Sequence, residues 1–414
     1  MKQRILLILA TAFFCSLFIS PMDKAPVVMN ICTGALCVWS LVLAGRLRYG
    51  WASLILFAWT VVSALLSHHT SEGWSYVALR LPLLAFPLSV GRLRISEKTR
   101  ADVLRSYAVV VVLGCLACFG YALARAIRLG DTSWLYDDAL TELSSVQSVY
   151  VAVMVAIAVF IMLVQRRPWM YPCIAFLLVF HVMLASRIGL VSLYGLMLVA
   201  GIYELGVRRK QWGRVAAVAG ALAACGVAFV FLFPKTLNRF RELKYTQYDF
   251  THQGVESHYD MPVTADQWNG ANIRLAVWKC AATVCERHFW TGVPVGDKKD
   301  SLVQSYRDVG FTFAATSRRN THNTYLEAWL SYGAIGAALF IAGFVVVPLI
   351  KARGLGRIVV ALLAVAMITE TYLDRSVGCV LLCFWISFVL SDCPPYTNPR
   401  PGPYPRSTPA PRDA

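Results

Sequence analysis

Four ionisable side chains sit where so apolar a chain has reason to avoid charge. Arg187 follows Ser186 in a tight turn between two apolar stretches, and Arg274 opens an amphipathic stretch. His322 precedes the next long apolar run, and Asp374 lies in a short turn near the C-terminus. Charge at or inside a membrane span is expensive, so chemistry is to be sought at such residues. Each also has a bland alternative. Arg187 can snorkel to headgroups, Asp374 can form a turn pair with Arg375, and a lone histidine at a helix start can be a cap. From His322 the chain runs HNTYLEAWLSYGAIG, with Gly333 and Gly336 following 11 and 14 residues on. In a helix that is close to three and four full turns. The spacing predicts a stripe headed by His322, along which both glycines let another helix approach closely.

Other candidates carry less. Arg80, about two turns into an apolar span, reads as a structural residue inside a bundle. His68 and His69 are adjacent but have no cluster of Cys or carboxylates beside them, which makes a weak metal site. The chain holds no Asp-x-Asp element and no P-loop, and Asp374, Asp137 and Asp138 are the acidic residues to revisit if a metal were required. Most of the 12 cysteines fall inside apolar spans as small hydrophobes. Cys280 and Cys285 are spaced so that a helix does not bring them onto one face.

The elements that must position these residues are apolar helices. Of 414 residues 57% are hydrophobic and 15% charged, and the mean hydropathy is +0.57, which excludes a soluble globular enzyme. Apolar stretches recur from end to end, as expected of an all-α polytopic membrane protein. Twelve spans are expected, at about 5–20, 26–45, 51–67, 74–91, 106–124, 145–164, 169–185, 188–203, 215–233, 324–350, 356–373 and 377–390. The first reads as a retained helix, since no small-x-small cleavage site closes it. With the N-terminus inside, cytoplasmic segments hold 21 basic residues and the short outer loops five. The positive-inside bias then places both termini in the cytoplasm and all four candidate residues on the outer side, where they are expected to share one cavity. The net charge of +16 thereby belongs to topology and anionic headgroups, and nucleic acid is not an expected partner.

The expected domains are 1–233 with nine spans, a periplasmic loop at 234–323, three spans at 324–390, and a Pro-rich cytoplasmic tail at 391–414. Within the loop, Asn272 to Trp290 has helical apolar spacing interrupted by Arg274, Lys279, Glu286 and Arg287, which predicts an amphipathic helix near the bilayer surface. Tyr245 to Gly270 lacks periodicity and reads as a lid-like stretch.

His322, Asn323, the nine residues from Thr324 to Tyr332, Gly333, Ala334, Ile335 and Gly336 form a pattern of His-Asn, nine residues, Gly, two residues and Gly. In this the chain resembles the O-antigen ligase and polymerase superfamily of bacterial envelope glycosyltransferases. The Ser186-Arg187-x-Gly189 turn, the Arg274-x-x-x-Trp278 helix start, the Gly292 to Gly296 stretch and the large loop before the tenth span extend the likeness.

The resemblance implies a GT-C-like membrane fold in the inner membrane of a Gram-negative bacterium, with its active site on the periplasmic face. It implies an undecaprenyl-diphosphate-linked O-antigen as donor and a sugar hydroxyl of lipid A-core as acceptor. Arg187 and Arg274 would bind the diphosphate, because the guanidinium fork fits phosphate oxygens. His322 would take the proton of the attacking hydroxyl. Asp374, Asn323 and Arg80 are candidates for support, Asp374 by orienting His322 or binding a sugar hydroxyl. Direct displacement would invert the anomeric centre, with no metal, ATP or other cofactor. Polymerisation of O-antigen units and glycan transfer to protein Ser or Thr compete within the superfamily. A transporter or flippase is the alternative from another class, disfavoured because the polar candidates gather on one face and no half-repeat is evident.

Overall fold

The computed structural model describes residues 1–18, 25–220, 233–250, 256 and 267–391. The principal helices are α1 (Lys2–Ser16), α2 (Ala25–Val42), α3 (Trp51–Leu65), α4 (Thr70–Leu79), α5 (Pro82–Leu88), α6 (Glu97–Leu129), α7 (Ser148–Gln165), α8 (Met170–Met183), α9 (Arg187–Gly201), α10 (Asn272–Arg287), α11 (Lys298–Asp308), α12 (Thr324–Ile341), α13 (Leu355–Ala366) and α14 (Ser376–Leu390). Only two isolated β-bridges interrupt the helical architecture among the described residues.

Five helical stretches are long and apolar enough to cross a bilayer: Thr70–Arg92, Glu97–Leu129, Ser148–Gln165, Arg187–Arg208 and Thr324–Lys351. Five more expected spans are apolar helices of 10–17 residues, and α1 has 15. Twelve full-length crossings are therefore not what the described residues present. The expected ninth span, 215–233, falls for the most part outside them, as do most of the stretch read as a lid and nearly all of the Pro-rich tail.

Two helices form the centre because they are apolar on every side. Almost all of α7 and α14 is buried; Phe13, Phe86 and Trp385 pack around Phe384, and Tyr107 packs edge-on against Trp385. Outer helices keep large apolar side chains exposed, including Ile8, Val38, Leu113 and Val199, as a surface facing lipid tails requires.

The segment between α9 and α12 builds a small helical unit with its own core. The apolar face of α10 (Ile273, Ala276, Val277, Cys280, Val284) buries against Leu302 and Tyr306 of α11 and against Phe311 and Leu330. The expected amphipathic helix exists, but its apolar face fills this core. Cys280 and Cys285 are both free thiols.

A strap made largely of turns, residues 289–297, fastens this unit to the bundle. Val293 N–H donates to Leu330 O at 2.7 Å and Ala334 N–H to Phe289 O at 2.7 Å. Val295 and Gly296 N–H donate to the hydroxyls of Ser63 and Ser67 at 2.9 and 3.0 Å. The Asp297 carboxylate accepts the His68 and His69 N–H groups, each at 3.0 Å. His69 also pairs with Asp300 at 3.1 Å.

The strap needs a break in α12. At Gly333 φ is 67° and ψ −176°, which frees the Leu330 carbonyl and the Ala334 N–H for the strap. A side chain there would overlap the Trp290 carbonyl. The predicted stripe is thereby corrected: its periodicity assumed an unbroken helix, whereas Gly333 admits a loop backbone. Gly336 makes room for the Tyr332 side chain and lies beside Leu56 of α3.

Gly333→Ala is expected to destabilise the protein by at least about 2 kcal/mol, from left-handed strain plus overlap. Gly120→Ala, mid-α6 with open space around it, should be neutral or slightly stabilising. Thermal unfolding of both variants in detergent checks the contrast.

Candidate active site

His322 is held where loop meets helix. Its φ is 43°, and the next residue, Asn323, caps α12 by accepting from the Tyr325 and Leu326 N–H groups, each at 3.0 Å. Asn323, a candidate for chemical support, is thus a helix cap that ends the loop at a fixed orientation. The Thr324 hydroxyl donates to Glu370 O at 2.6 Å and accepts from Tyr372 N–H at 3.0 Å, which ties the start of α12 to the turn before α14.

That turn brings Glu370 to the imidazole, with His322 Nδ1 3.4 Å from Glu370 Oε2. The His322 side chain is 23% exposed and that of Glu370 7%, so the histidine faces an open cleft and its carboxylate partner lies behind. Burial pushes the Glu370 carboxyl up. The hydrogen bond and charge of His322, the Thr371 N–H and the Arg274 charge outweigh it, leaving the carboxyl below its ordinary range. Its pairing is fully present above that range and is lost as pH falls through the lowered value.

Asp374 does not touch His322, contrary to the first of its two expected roles. It belongs to a buried quartet with Arg80, Lys298 and Glu327. Arg80 donates to Asp374 at 2.8 Å, to Tyr332 Oη at 2.9 Å and to Ser331 Oγ at 3.2 Å. Lys298 binds Asp374 at 2.5 Å and also binds Glu327, with its ammonium 3.9 Å from the centre of the Tyr76 ring. The Thr321 and Ser331 hydroxyls donate to Glu327, each at 3.2 Å. Burial pushes the Asp374 carboxyl up, and the Lys298 and Arg80 charges hold it well below the ordinary range all the same. Arg80 is wholly buried here.

Arg187 and Arg274 converge elsewhere. Ser186 caps α9 by accepting from the Gly189 N–H at 3.3 Å and so projects Arg187 from the helix start. Arg187 pairs with buried Glu242 at 3.0 Å, and Arg274 donates to Gly270 O at 2.6 Å. A Cβ on Gly270 would lie 2.7 Å from Arg187 Nη2 and 3.3 Å from Arg274 Nη1, so a side chain there would push on the mobile ends of both guanidiniums.

The four candidates therefore do not share one cavity. Arg187 and Arg274 line one of about 430 Å³ whose other walls include Ile188, Val191, Leu243 and Leu275. His322 and Asp374 line a larger, polar cleft of about 910 Å³ with Lys299, Arg318, Arg319 and Arg375. A thin partition divides them. Trp278, in the wall of the first, donates to Thr321 O beside His322 at 2.8 Å, and Thr369 of the same wall precedes Glu370.

A model of the O-antigen ligase family matches residues 172–341. Over that stretch the chain is similar to the O-antigen ligase family. A search of curated proteins finds no match. The matched domain contains Arg187, Arg274, His322 and the Gly333 break, whereas Arg80, Glu370 and Asp374 lie beyond it on helices and turns that close around it.

Sequence reasoning missed Glu370, Glu242, Lys298 and Glu327. No group of three or more His, Cys, Asp or Glu arranged to hold a metal occurs among the described residues.

Lys298→Met leaves two buried carboxylates facing one arginine, and should lower stability by about 3–5 kcal/mol. Lys299→Met removes an exposed pair with Glu72 and should cost less than about 1 kcal/mol. Unfolding of purified protein in mixed micelles measures both.

Proposed function

We propose that the chain transfers O-antigen polysaccharide from undecaprenyl diphosphate to a sugar hydroxyl of lipid A-core, at the periplasmic face of the inner membrane. The observation that carries this reading is His322, backed by buried Glu370 and set between a two-arginine cavity with apolar walls and a wide polar cleft. The family match supports the reaction class.

In this reading the diphosphate lies against Arg187 and Arg274, with the polyprenyl chain leaving along the apolar walls. Glu242 orients the Arg187 fork. The acceptor enters through the polar cleft. With Nδ1–H donated to Glu370, His322 presents Nε2 to the acceptor hydroxyl, an arrangement in which a carboxylate fixes the base's tautomer. As the hydroxyl oxygen bonds to the anomeric carbon, its proton passes to Nε2. The bond from that carbon to the diphosphate oxygen breaks, and the diphosphate leaves with the electron pair. Attack from the side opposite the leaving group inverts the anomeric centre. Fixed cations stabilise the charge that gathers on the diphosphate, so the step calls on no metal and no nucleotide.

The test is a reconstituted assay with lipid-linked glycan, lipopolysaccharide acceptor, EDTA and no nucleotide. Wild type should produce ligated product with inverted linkage, and His322→Ala should lose about 10²–10⁴-fold in rate with unchanged folding. Glu370→Gln should lower the rate less, while keeping donor affinity. Near wild-type rate in His322→Ala, or activity that EDTA abolishes and Mg²⁺ restores, would overturn the mechanism. Product built on the lipid-linked glycan itself would reveal a polymerase, and modified protein a protein transferase.

For the two arginines, Ala variants should weaken donor use strongly, and Arg187→Lys or Arg274→Lys should rescue only part, since a point charge lacks the fork. Donor titrations of initial rate check this. Full activity of both Lys variants would assign the arginines to general electrostatics.

A further inference from the structure

The end of the bundle away from His322 has cavities of a different character. There α12 continues through Ala342–Val346 and Val347–Lys351. Between this continuation, the start of α3 and the end of α14 lies a mainly apolar cavity of about 200 Å³ whose walls include Ala52, Pro87, Phe344, Val347 and Ile386, with Arg48 also in its lining. It shares Tyr49 and Leu390 with a neighbouring cavity of about 340 Å³. Among the described residues, the walls of that neighbour hold Arg100, Lys351 and Arg353 and no carboxylate.

We propose that this pair of cavities holds one anionic phospholipid, its phosphate among Arg100, Lys351 and Arg353 and the start of one acyl chain in the apolar cavity. Arg100 is 8% exposed and its guanidinium stands 5.0 Å from the centre of the Phe388 ring, so one cation of the set is fixed in place. Lys351 and Arg353 flank buried Ala352 and are themselves exposed. Neither makes an ion pair among the described residues.

Cations that only set topology need no more than the membrane interface. These three converge on a cavity that opens beside an apolar one between helices, a head-and-tail sequence that matches an amphiphile. Basic pockets between membrane helices favour phosphate headgroups in this way. A soluble phosphate or phosphate ester satisfies the cations and leaves the apolar cavity unfilled, which is why a lipid is the occupant. Nothing in the assignment depends on the reaction at His322.

Full-length protein in detergent micelles, analysed by native mass spectrometry, tests it with three probes: phosphatidylglycerol, phosphatidylcholine and glycerol 3-phosphate. One phosphatidylglycerol should be retained per chain, with phosphatidylcholine held at least about tenfold more weakly and glycerol 3-phosphate failing to displace the lipid. The double substitution Lys351→Glu with Arg353→Glu should reduce phosphatidylglycerol retention by about tenfold or more at unchanged melting temperature. If that variant misfolds, the double Gln variant gives the same comparison. Equal retention of both lipids, displacement by glycerol 3-phosphate, or wild-type retention in a folded variant would each overturn the proposal.

Discussion

Two cations and two carboxylates buried together govern this molecule. Arg80 comes from the junction of α4 and α5, Lys298 from the start of α11, Glu327 from the first turn of α12, and Asp374 from the turn before α14. A charge in a low-dielectric interior is tolerated only when paired and hydrogen-bonded. Each of these four elements is therefore fixed by the needs of the other three. The strap delivers Lys298, the break at Gly333 admits the strap, and the turn that carries Asp374 also carries Glu370. His322 acquires its carboxylate partner as a by-product of neutralising charges one turn away.

The same constraint explains the division of space. Because Lys298 and Asp374 are occupied with each other, the polar cleft is floored by a neutral cluster and presents its cations at the rim. The two arginines near α9 are kept apart from it by Trp278 and the residues around Thr321. Histidine and glutamate stand in the partition.

Much of this was legible in the sequence, and the rest failed for physical reasons. Arg187, Arg274 and His322 stood out because the apolar background makes any charge conspicuous. Lys298 was hidden in Asp-Lys-Lys-Asp, a run that looks solvated, and only tertiary structure sends one of its lysines into the interior while its neighbour stays outside. Glu370 and Asp374 are four apart in a stretch that is not α-helical, so periodicity had no means of saying which faces the histidine. The glycine stripe was misread because a helical projection presumes continuity, and Gly333 ends it. Helix identities were read well and span lengths less so. Kinks, short helices and the strap's insertion trade membrane-crossing length for contact with the loop unit.

The order in which the quartet is made has a consequence for biogenesis. Arg80 and its partner Asp374 are separated by 294 positions, so the arginine leaves the ribosome long before its counter-charge exists. An unpaired arginine at the centre of a membrane helix costs about 2.5–3.5 kcal/mol on insertion. The nascent fourth span must hold that charge near water until the last helix arrives. Docking of the loop unit and arrival of the C-terminal helices are then the events that draw Arg80 inward, and a chain truncated before residue 374 lacks the carboxylate that closes this core.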